Sequence, residues 1–410
     1  MLDLGRRAKA AARSMAVACS AAKDEALGLA SDGVAARAEE LLSANAADVA
    51  RSQEAGASPS VVDRLRLTEG RIAQIAAGLR AVAALPDPVG EVVEGSVRPN
   101  GLRVERVRVP LGVIGIIYEN RPNVTADAAA LCLKSGNAAL LRGSAGALES
   151  NRIIAAALRD AIDKVGLPAD AVLLVEDTSH AAATEFVQLR GVIDCLIPRG
   201  GRELLSMILE HATVPYVLDG DGNCHVYVDA AADLDMAERI VVNAKTQRPS
   251  VCNAAETLLV HRDVATEFLA RMSRSLHGVV LAADERARPL LPGARPASEA
   301  DFATEFLALE LAVGVVDDLD SAIAHIARYG SGHSEAIVTS DLGAATRFVR
   351  QVDAAAVLVN ASTRFVDGAE LGRGAEVGIS TQKLHARGPM GLRELTCVKY
   401  VVYGEGQIRT

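Results

Sequence analysis

The chain has no tryptophan, and aromatic residues make up only 3% of its 410 positions. Half of its residues are apolar, so Ala, Val and Leu must build the core. An excess of positive charge is also missing. The formal net charge is −9, which argues against a nucleic-acid surface, whose footprint is basic. No apolar run reaches the ~20 residues that a membrane span requires. The segment 1–14 carries four basic residues and one acid, but it lacks the uninterrupted apolar core of a secretory signal. Leu2, Leu4, Met15 and Val17 suit an amphipathic helix, and the expectation is a soluble, cytoplasmic protein. Cysteine is sparse: six residues, scattered, with no CxxC and no Cys/His spacing suited to zinc. That usage fits a reducing compartment rather than a disulfide framework, and no metal site is expected. The GxGxxG fingerprint is absent, so dinucleotide binding cannot rest on it. The length exceeds what one simple core accommodates, and two or three domains are expected.

What stands out is the stretch from Lys245 to Thr257. It begins where a helical pattern ends (237–244) and stops where a strand pattern begins (257–261). Cys252 lies in this polar loop, where a cysteine is placed for attack rather than for packing. The thiolate is the nucleophilic form, and a neighbouring cation favours it. Lys245 and Arg248 are the local candidates. The other cysteines serve as controls. Cys132 and Cys195 lie in apolar runs, Cys19 in an Ala-rich helix, and Cys224 and Cys397 at strand ends; all read as filler.

Along the chain, 1–85 reads as helical from its three-to-four residue apolar spacing. A Pro-rich break follows, then two strand-like runs, 91–97 and 102–109, joined by Pro99-Asn100-Gly101 into a hairpin. From residue 112 strands alternate with helices. Strands are expected at 112–118, 138–141, 171–175, 192–197, 214–218 and 224–228, with helices at 124–134, 147–164, 178–189 and 202–211. The alternation restarts after Cys252. Strands are expected there at 257–260, 311–316, 335–338 and 356–359, with helices at 263–277, 319–329 and 342–352. Such alternation means parallel sheets covered on both faces. Residues 361–393 read as long functional loops, and 395–403 as a final strand.

A second constellation closes the first parallel strand: Gly115-Ile-Ile-Tyr-Glu-Asn-Arg-Pro-Asn-Val. Ligands of open parallel sheets bind beyond the carboxyl ends of strands, which is where Asn120 falls. An amide N–H there can stabilise an oxyanion, and losing such a donor costs roughly 10²–10³ in rate. The plainer reading of an Asn after a strand is a turn former.

Three strings together resemble the aldehyde dehydrogenase superfamily: Val109 to Val124, Lys134 to Gly143, and Gln247 to Leu258. The Glu-Asn-Arg-Pro-Asn-Val and Gln-Arg-Pro-Ser-Val-Cys-Asn runs narrow the resemblance to its γ-glutamyl phosphate reductase branch. Pro198-Arg-Gly-Gly, Asn360 to Gly368 and Leu371 to Thr381 extend it over nearly the whole chain. The resemblance implies an α/β, aldehyde dehydrogenase-like fold with two parallel-sheet domains and a small β oligomerisation arm. The nucleotide-binding domain would take 1–90 and 110–228, the catalytic domain 229–380, and the arm 91–109 and 381–410. One departure stands out. Hydrolysing members of the superfamily carry a water-activating Glu where this chain has Val217 or Leu218, although Asp219 and Asp221 are nearby.

The chemistry implied is NADPH-dependent reduction of L-glutamyl 5-phosphate to glutamate 5-semialdehyde and phosphate through a Cys252 thioester, a step of proline biosynthesis. Asn120 and the Cys252 N–H would hold the oxyanion. Arg142, Gly143, Ser144, Gly200, Gly201 and Glu305 would contact the cofactor, with Glu305 on the nicotinamide ribose. Arg121, Arg248 and Arg364 are the substrate-binding candidates because Arg grips oxyanions bidentately. His211, His225 and His333 are weaker candidates for aiding phosphate departure. The preference for NADP(H) over NAD(H) follows from Arg142, which stands where NAD-preferring members have a Lys, and from Ala145, which stands where they have a carboxylate. Homodimers or homotetramers and a functional association with glutamate 5-kinase complete the implied partners. Two alternatives remain open: an aldehyde dehydrogenase that hydrolyses its acyl group or passes it to coenzyme A, and an inactive scaffold of the same fold. The scaffold reading would be marked by loss of Cys252 or Asn120, and both are present.

Overall fold

A computed structural model describes residues 1–218 and 220–409. Asp219, one of the two acids noted beside Val217 and Leu218, lies outside the described residues. The chain forms two compact units. The first comprises 1–218, 373–378 and 390–410, and the second 219–372 and 379–389.

The first unit opens with five helices: α1 (Leu2–Met15), α2 (Ser20–Ala36), α3 (Ala38–Glu54), α4 (Pro59–Leu65) and α5 (Glu69–Ala83). Thr68 starts the last of these by accepting the Arg71 N–H, a side-chain cap that satisfies an otherwise orphan donor. The hairpin strands β1 (Val92–Val97) and β2 (Arg103–Pro110) follow as expected. The parallel series is β3 (Val113–Tyr118), α6 (Pro122–Lys134), β4 (Ala138–Gly143), α7 (Leu148–Lys164), β5 (Val172–Leu174), α8 (His180–Val187), β6 (Cys195–Arg199) and α9 (Arg202–His211). The four strands pair in the order β5-β4-β3-β6, all parallel. Every residue of β3 and β4 is buried, which is why these strands read as unbroken apolar runs rather than as alternating ones. The expected strand at 214–218 amounts to a single bridge, Leu196 to Tyr216. Val217 N–H does donate to Leu196 O, so the segment runs along β6 without extending the sheet.

The final strand, β16 (Thr396–Tyr403), pairs antiparallel with β2 and completes a three-stranded sheet of order β1-β2-β16. Asn137 ties this sheet to the parallel one. Its Nδ2 donates to Leu395 O at 2.9 Å, and its Oδ1 accepts the Gly112 N–H at 2.8 Å. A buried amide with both ends satisfied fixes where the arm leaves the sheet.

The second unit is built on seven parallel strands, with β7 (Cys224–Val228), α10 (Leu234–Thr246), β8 (Ala255–His261), α11 (Arg262–Ser275), β9 (Val280–Ala283), β10 (Arg295–Pro296), α12 (Glu299–Phe302), β11 (Glu310–Val316), α13 (Leu319–Tyr329), β12 (Ser334–Val338), α14 (Leu342–Gln351) and β13 (Ala356–Val359). The strand order is β10-β9-β11-β8-β7-β12-β13. Val241 of α10 and Phe268, Leu269 and Met272 of α11 pack with Val226, Leu258 and Val260 of the sheet. Ile326 of α13 and Phe348 of α14 pack with Tyr227 and Leu259. A short antiparallel pair, β14 (Ile379–Ser380) and β15 (Gly388–Pro389), lies within the stretch read as loops.

The units depart from the expected boundaries in three places. Residues 373–378, expected in the catalytic domain 229–380, group with the first unit. The expected nucleotide-binding domain runs through 228, yet 220–228 group with the second unit, and β7 is a central strand of the second sheet, flanked by β8 and β12. Strand–helix alternation gives the order of elements along the chain but not the sheet each strand joins. Residues 381–389, expected with the arm, group with the second unit; among the described residues of 381–410, only 396–403 pair with the arm strands.

Candidate active site

Cys252 sits in a turn between α10 and β8, where the Ala254 N–H donates to Val251 O at 3.0 Å. The sequence sets up this turn. Asp233 caps the start of α10 through the N–H groups of Asp235 and Met236, and the β-rich Thr257-Leu-Leu-Val run starts the strand beyond. Cys252 is partly exposed, whereas Cys132, Cys195 and Cys224 are buried. Burial raises the thiols of Cys132 and Cys224 and pushes Cys195 up to about 12, so all three are inert as nucleophiles near neutrality. Cys19 and Cys397 are exposed, which corrects their reading as packing filler.

The backbone of Cys252 is tightly held. A side chain at Gly222 would place its Cβ 1.6 Å from Cys252 O, so only glycine fits there. The Cys224 thiol donates to the same carbonyl at 3.2 Å. Gly222 N–H in turn donates to Glu305 Oε1 at 2.8 Å. Glu305 was expected on a nicotinamide ribose. It lies in a loop, half-buried, with its carboxylate one contact removed from the Cys252 backbone.

The cation expected of Lys245 is engaged elsewhere. Its Nζ lies 2.5 Å from Glu256 Oε2, and neither side chain is exposed. The other Glu256 oxygen accepts the Leu307 N–H at 3.3 Å. Burial is the main cause that raises the Glu256 carboxyl to about 7, with Lys245 opposing it, and burial lowers the Lys245 ammonium. Arg248 and Arg364 remain near the thiol. The Arg364 guanidinium is held below its usual range, first by burial and then by the charge of Arg248, while Asp367 and Cys252 pull the other way. Arg248, Arg364 and Cys252 therefore share one electrostatic neighbourhood. Arg364 Nε donates to Gln247 Oε1 at 2.8 Å, which fixes its guanidinium beside the loop.

His225 and His333 are buried. His225 Nδ1 lies 2.9 Å from Glu335 Oε2, and His333 Nδ1 lies 2.8 Å from Ser334 Oγ. His211, at the exposed end of α9, belongs to the first unit.

The first unit carries Asn120, Arg121, Arg142, Gly143, Ser144, Gly200 and Gly201. Asn120 follows β3 with φ of 45°, a left-handed conformation that Asn tolerates better than most residues. Its N–H donates to Ser144 Oγ at 3.1 Å, and Ser144 Oγ lies 3.0 Å from Asn120 Oδ1. Arg121 occupies the position before α6, whose first residue is Pro122. Gly201 N–H donates to Glu119 Oε2 at 3.0 Å, and a Cβ at Gly200 would lie 2.7 Å from the same oxygen. Gly143 faces Asn151, whose Nδ2 would lie 2.3 Å from an added Cβ. Arg142 is only 8% exposed, and its Nη2 donates to Thr178 O and Ser179 O at 2.8 and 2.9 Å. Its Nε is buried without a partner among the described residues.

Glu256, Gly222 and Glu119 escaped the sequence reading. Glu256 left one usable signal: a lone charge entering an apolar strand must be paired, and Lys245 was within reach. Nothing in the sequence marks Gly222 as the glycine beneath Cys252. Among the described residues no group of three His, Cys, Asp or Glu side chains forms a metal site, and no helix is long and apolar enough to cross a membrane.

Comparison with known proteins places the chain among relatives. The aldehyde dehydrogenase family model matches residues 3–288. The chain is 55% identical to a gamma-glutamyl phosphate reductase of Thermobifida fusca over 99% of its own length and 98% of the relative's. Among solved structures it is similar to the gamma-glutamyl phosphate reductase of Thermotoga maritima. There the TM-score is 0.97 at 47% identity, covering 100% of this chain and 99% of that one. An acetylating aldehyde dehydrogenase of Geobacillus thermoglucosidasius shares the fold, with TM-score 0.71 at 16% identity, covering 100% of this chain and 97% of that one.

The raised carboxyl of Glu256 makes stability depend on pH. Its folded value of about 7 lies above the ordinary 4.5, so the folded state holds the proton more tightly. That contribution is complete below pH 4.5 and is lost as the pH rises to about 7. Glu256→Gln, which cannot titrate, removes it. The stability of the wild type relative to Glu256→Gln, measured by urea unfolding, should fall across this window. A difference that stays flat would show that Glu256 is not raised.

Proposed function

The chain belongs to the aldehyde dehydrogenase family, within it to the gamma-glutamyl phosphate reductases, and on that premise we propose that it reduces L-glutamyl 5-phosphate to L-glutamate 5-semialdehyde and phosphate with NADPH, through a cysteine thioester. The observation that carries this reading is Cys252: a partly exposed thiol in a turn beside Arg248 and Arg364, in a chain 55% identical along its length to such a reductase. Two guanidinium groups favour the thiolate and suit a substrate that carries phosphate and carboxylate.

The Cys252 thiolate attacks the acyl carbon, forming the C–S bond. The oxyanion draws hydrogen bonds from Asn120 and the Cys252 N–H, and phosphate leaves as the C–O bond breaks. NADPH, when bound, supplies the hydride that reduces the acyl carbon. Collapse of the tetrahedral hemithioacetal returns the electron pair of the C–S bond to Cys252 and frees the aldehyde. A water-activating carboxylate would divert the thioester to the acid. Val217, at one of the two positions where hydrolysing members carry that Glu, is apolar and 4% exposed.

The residues at the carboxyl end of β4 fit a dinucleotide with a 2′-phosphate. The buried Nε of Arg142 is a donor without an acceptor, and a phosphate oxygen would satisfy it. Arg142, Gly143, Gly200, Gly201 and Glu305 would hold the cofactor, and Arg121, Arg248 and Arg364 the substrate. Assembly as a homodimer or homotetramer through the β1-β2-β16 sheet, and a functional association with glutamate 5-kinase, belong to the same reading. All six residues of β1 are exposed, and an open strand edge is a template for pairing.

Cys252→Ser should abolish turnover while leaving the fold and cofactor binding intact. A serine variant that keeps more than about a tenth of the wild-type rate, a loss of only ~1.4 kcal/mol in barrier, would reject the covalent mechanism. Arg142→Ala should raise KM for NADPH far more than KM for NADH. Equal effects on the two would assign Arg142 to holding the Thr178–Ser179 turn alone. Deleting 395–410 should give monomers or aggregates in sedimentation velocity, and an unchanged oligomer would rule out the arm as the assembly element.

A further inference from the structure

The resemblance placed Ser144 among the cofactor contacts. Its hydrogen bonds point elsewhere. Ser144 Oγ accepts the backbone N–H of Asn120 at 3.1 Å and lies 3.0 Å from Asn120 Oδ1. A hydroxyl has one proton and two lone pairs. One lone pair takes the Asn120 N–H, and the proton goes to Oδ1. The carboxamide is thereby oriented: its oxygen faces Ser144 and its Nδ2 faces away. Among the described residues Nδ2 makes no hydrogen bond.

The alternative for Ser144 fails on the same count. A phosphate oxygen of the cofactor accepts hydrogen bonds and needs a donor. The only proton of the Ser144 hydroxyl is engaged with Asn120, and what remains is a lone pair, which a phosphate repels.

Gly146 completes the cradle. A Cβ there would lie 2.7 Å from Asn120 Oδ1 and 3.0 Å from Ser52 Oγ, so a side chain would push the amide out of place. Asn120 itself is in the left-handed region, at φ of 45°, where few side chains are comfortable. Its backbone is held in that conformation by the same hydroxyl that orients its side chain.

We propose that Ser144 is a positioning residue: it locks the Asn120 carboxamide with Nδ2 presented as the oxyanion donor, with Gly146 leaving the room this requires. The proposal rests on the oxyanion role of Asn120 given above. It moves Ser144 from recognition of the cofactor to the acyl-transfer step.

The test is a double-mutant cycle on the full-length enzyme, with kcat and KM measured for both substrates. Ser144→Ala should lower kcat by on the order of 10–100-fold, the cost of a misplaced catalytic group, with KM for NADPH within about twofold of wild type. In an Asn120→Ala background the same substitution should change kcat no further, because the group it positions is gone. Gly146→Ala should give the same pattern by crowding the amide from the other side. Normal kcat in Ser144→Ala would overturn the proposal. So would a rise in KM for NADPH that persists in the Asn120→Ala background, which would return Ser144 to the cofactor. An Asn120→Ala enzyme with wild-type kcat would remove the oxyanion reading itself, and the proposal with it. An impaired Asn120→Ala enzyme beside an unimpaired Ser144→Ala enzyme would sink the Ser144 assignment alone.

Discussion

A lysine and a glutamate, both without solvent exposure and 2.5 Å apart, close the loop that carries Cys252. Lys245 lies in the last turn of α10 and Glu256 is the second residue of β8, so their contact joins the two ends of the Cys252 loop. A buried pair of this kind is a weak source of net stability, because desolvation offsets much of the attraction. Removing one partner is far worse, since it leaves a charge alone in an apolar interior. The pair is therefore better understood as a device that fixes geometry. From Glu256 the contacts continue. Its second oxygen holds Leu307, two residues after Glu305. Glu305 holds Gly222, and the backbone of Gly222 lies against the carbonyl of Cys252. The ring closes on the residue it surrounds. Leu307 adopts a left-handed φ of 54°, a conformation uncommon outside glycine, at the point where its N–H meets Glu256.

This ring has a chemical consequence. A cation bonded to a carboxylate at 2.5 Å is largely neutralised, so Lys245 adds little to the field at the thiol. On the proposed reading, thiolate stabilisation falls to guanidinium groups, which keep their charge at any working pH. Arg364 is the better placed by contact. It is anchored through Gln247 on the same loop, and its proton affinity responds to both Arg248 and Cys252. On the same proposed reading, a thiol near permanent cations, with its main chain pinned from behind, suits attack on a substrate that is itself anionic.

The alternation of strands and helices and the placement of Cys252 between α10 and β8 were legible in the sequence because both arise from local pattern. An apolar strand buried on two faces and a capped amphipathic helix announce themselves over six to fifteen residues. Partnerships across the chain did not. β7 reads like any strand of the first series, and only its pairing with β8 and β12 places it in the second sheet. Lys245 reads as a cation near a cysteine until Glu256 is found against it. Arg142 reads as a cation for the 2′-phosphate of a cofactor, and the fold shows it buried and holding two carbonyls of the turn before α8. In each case side-chain type and sequence neighbourhood were correct, and the partner that decides the role comes from elsewhere in the fold.

Asn120 shows why a turn former and an oxyanion donor need not be rival readings. An Asn after a strand is common because its side chain tolerates the left-handed turn, and at φ of 45° the residue does make that turn. The turn sets where the side chain starts, and Ser144 sets which end of the amide faces outward. Glycine would make the turn more readily but would bring no donor. Alanine would bring no donor and would strain the backbone. A glutamine would bring the donor on a longer stem with one more rotatable bond, out of register with Ser144. Asn is thus the residue that meets the backbone requirement and carries an amide short enough to be held by a neighbouring hydroxyl. On the oxyanion reading, the constraint that makes the position look like an ordinary turn is the one that gives its amide a fixed direction.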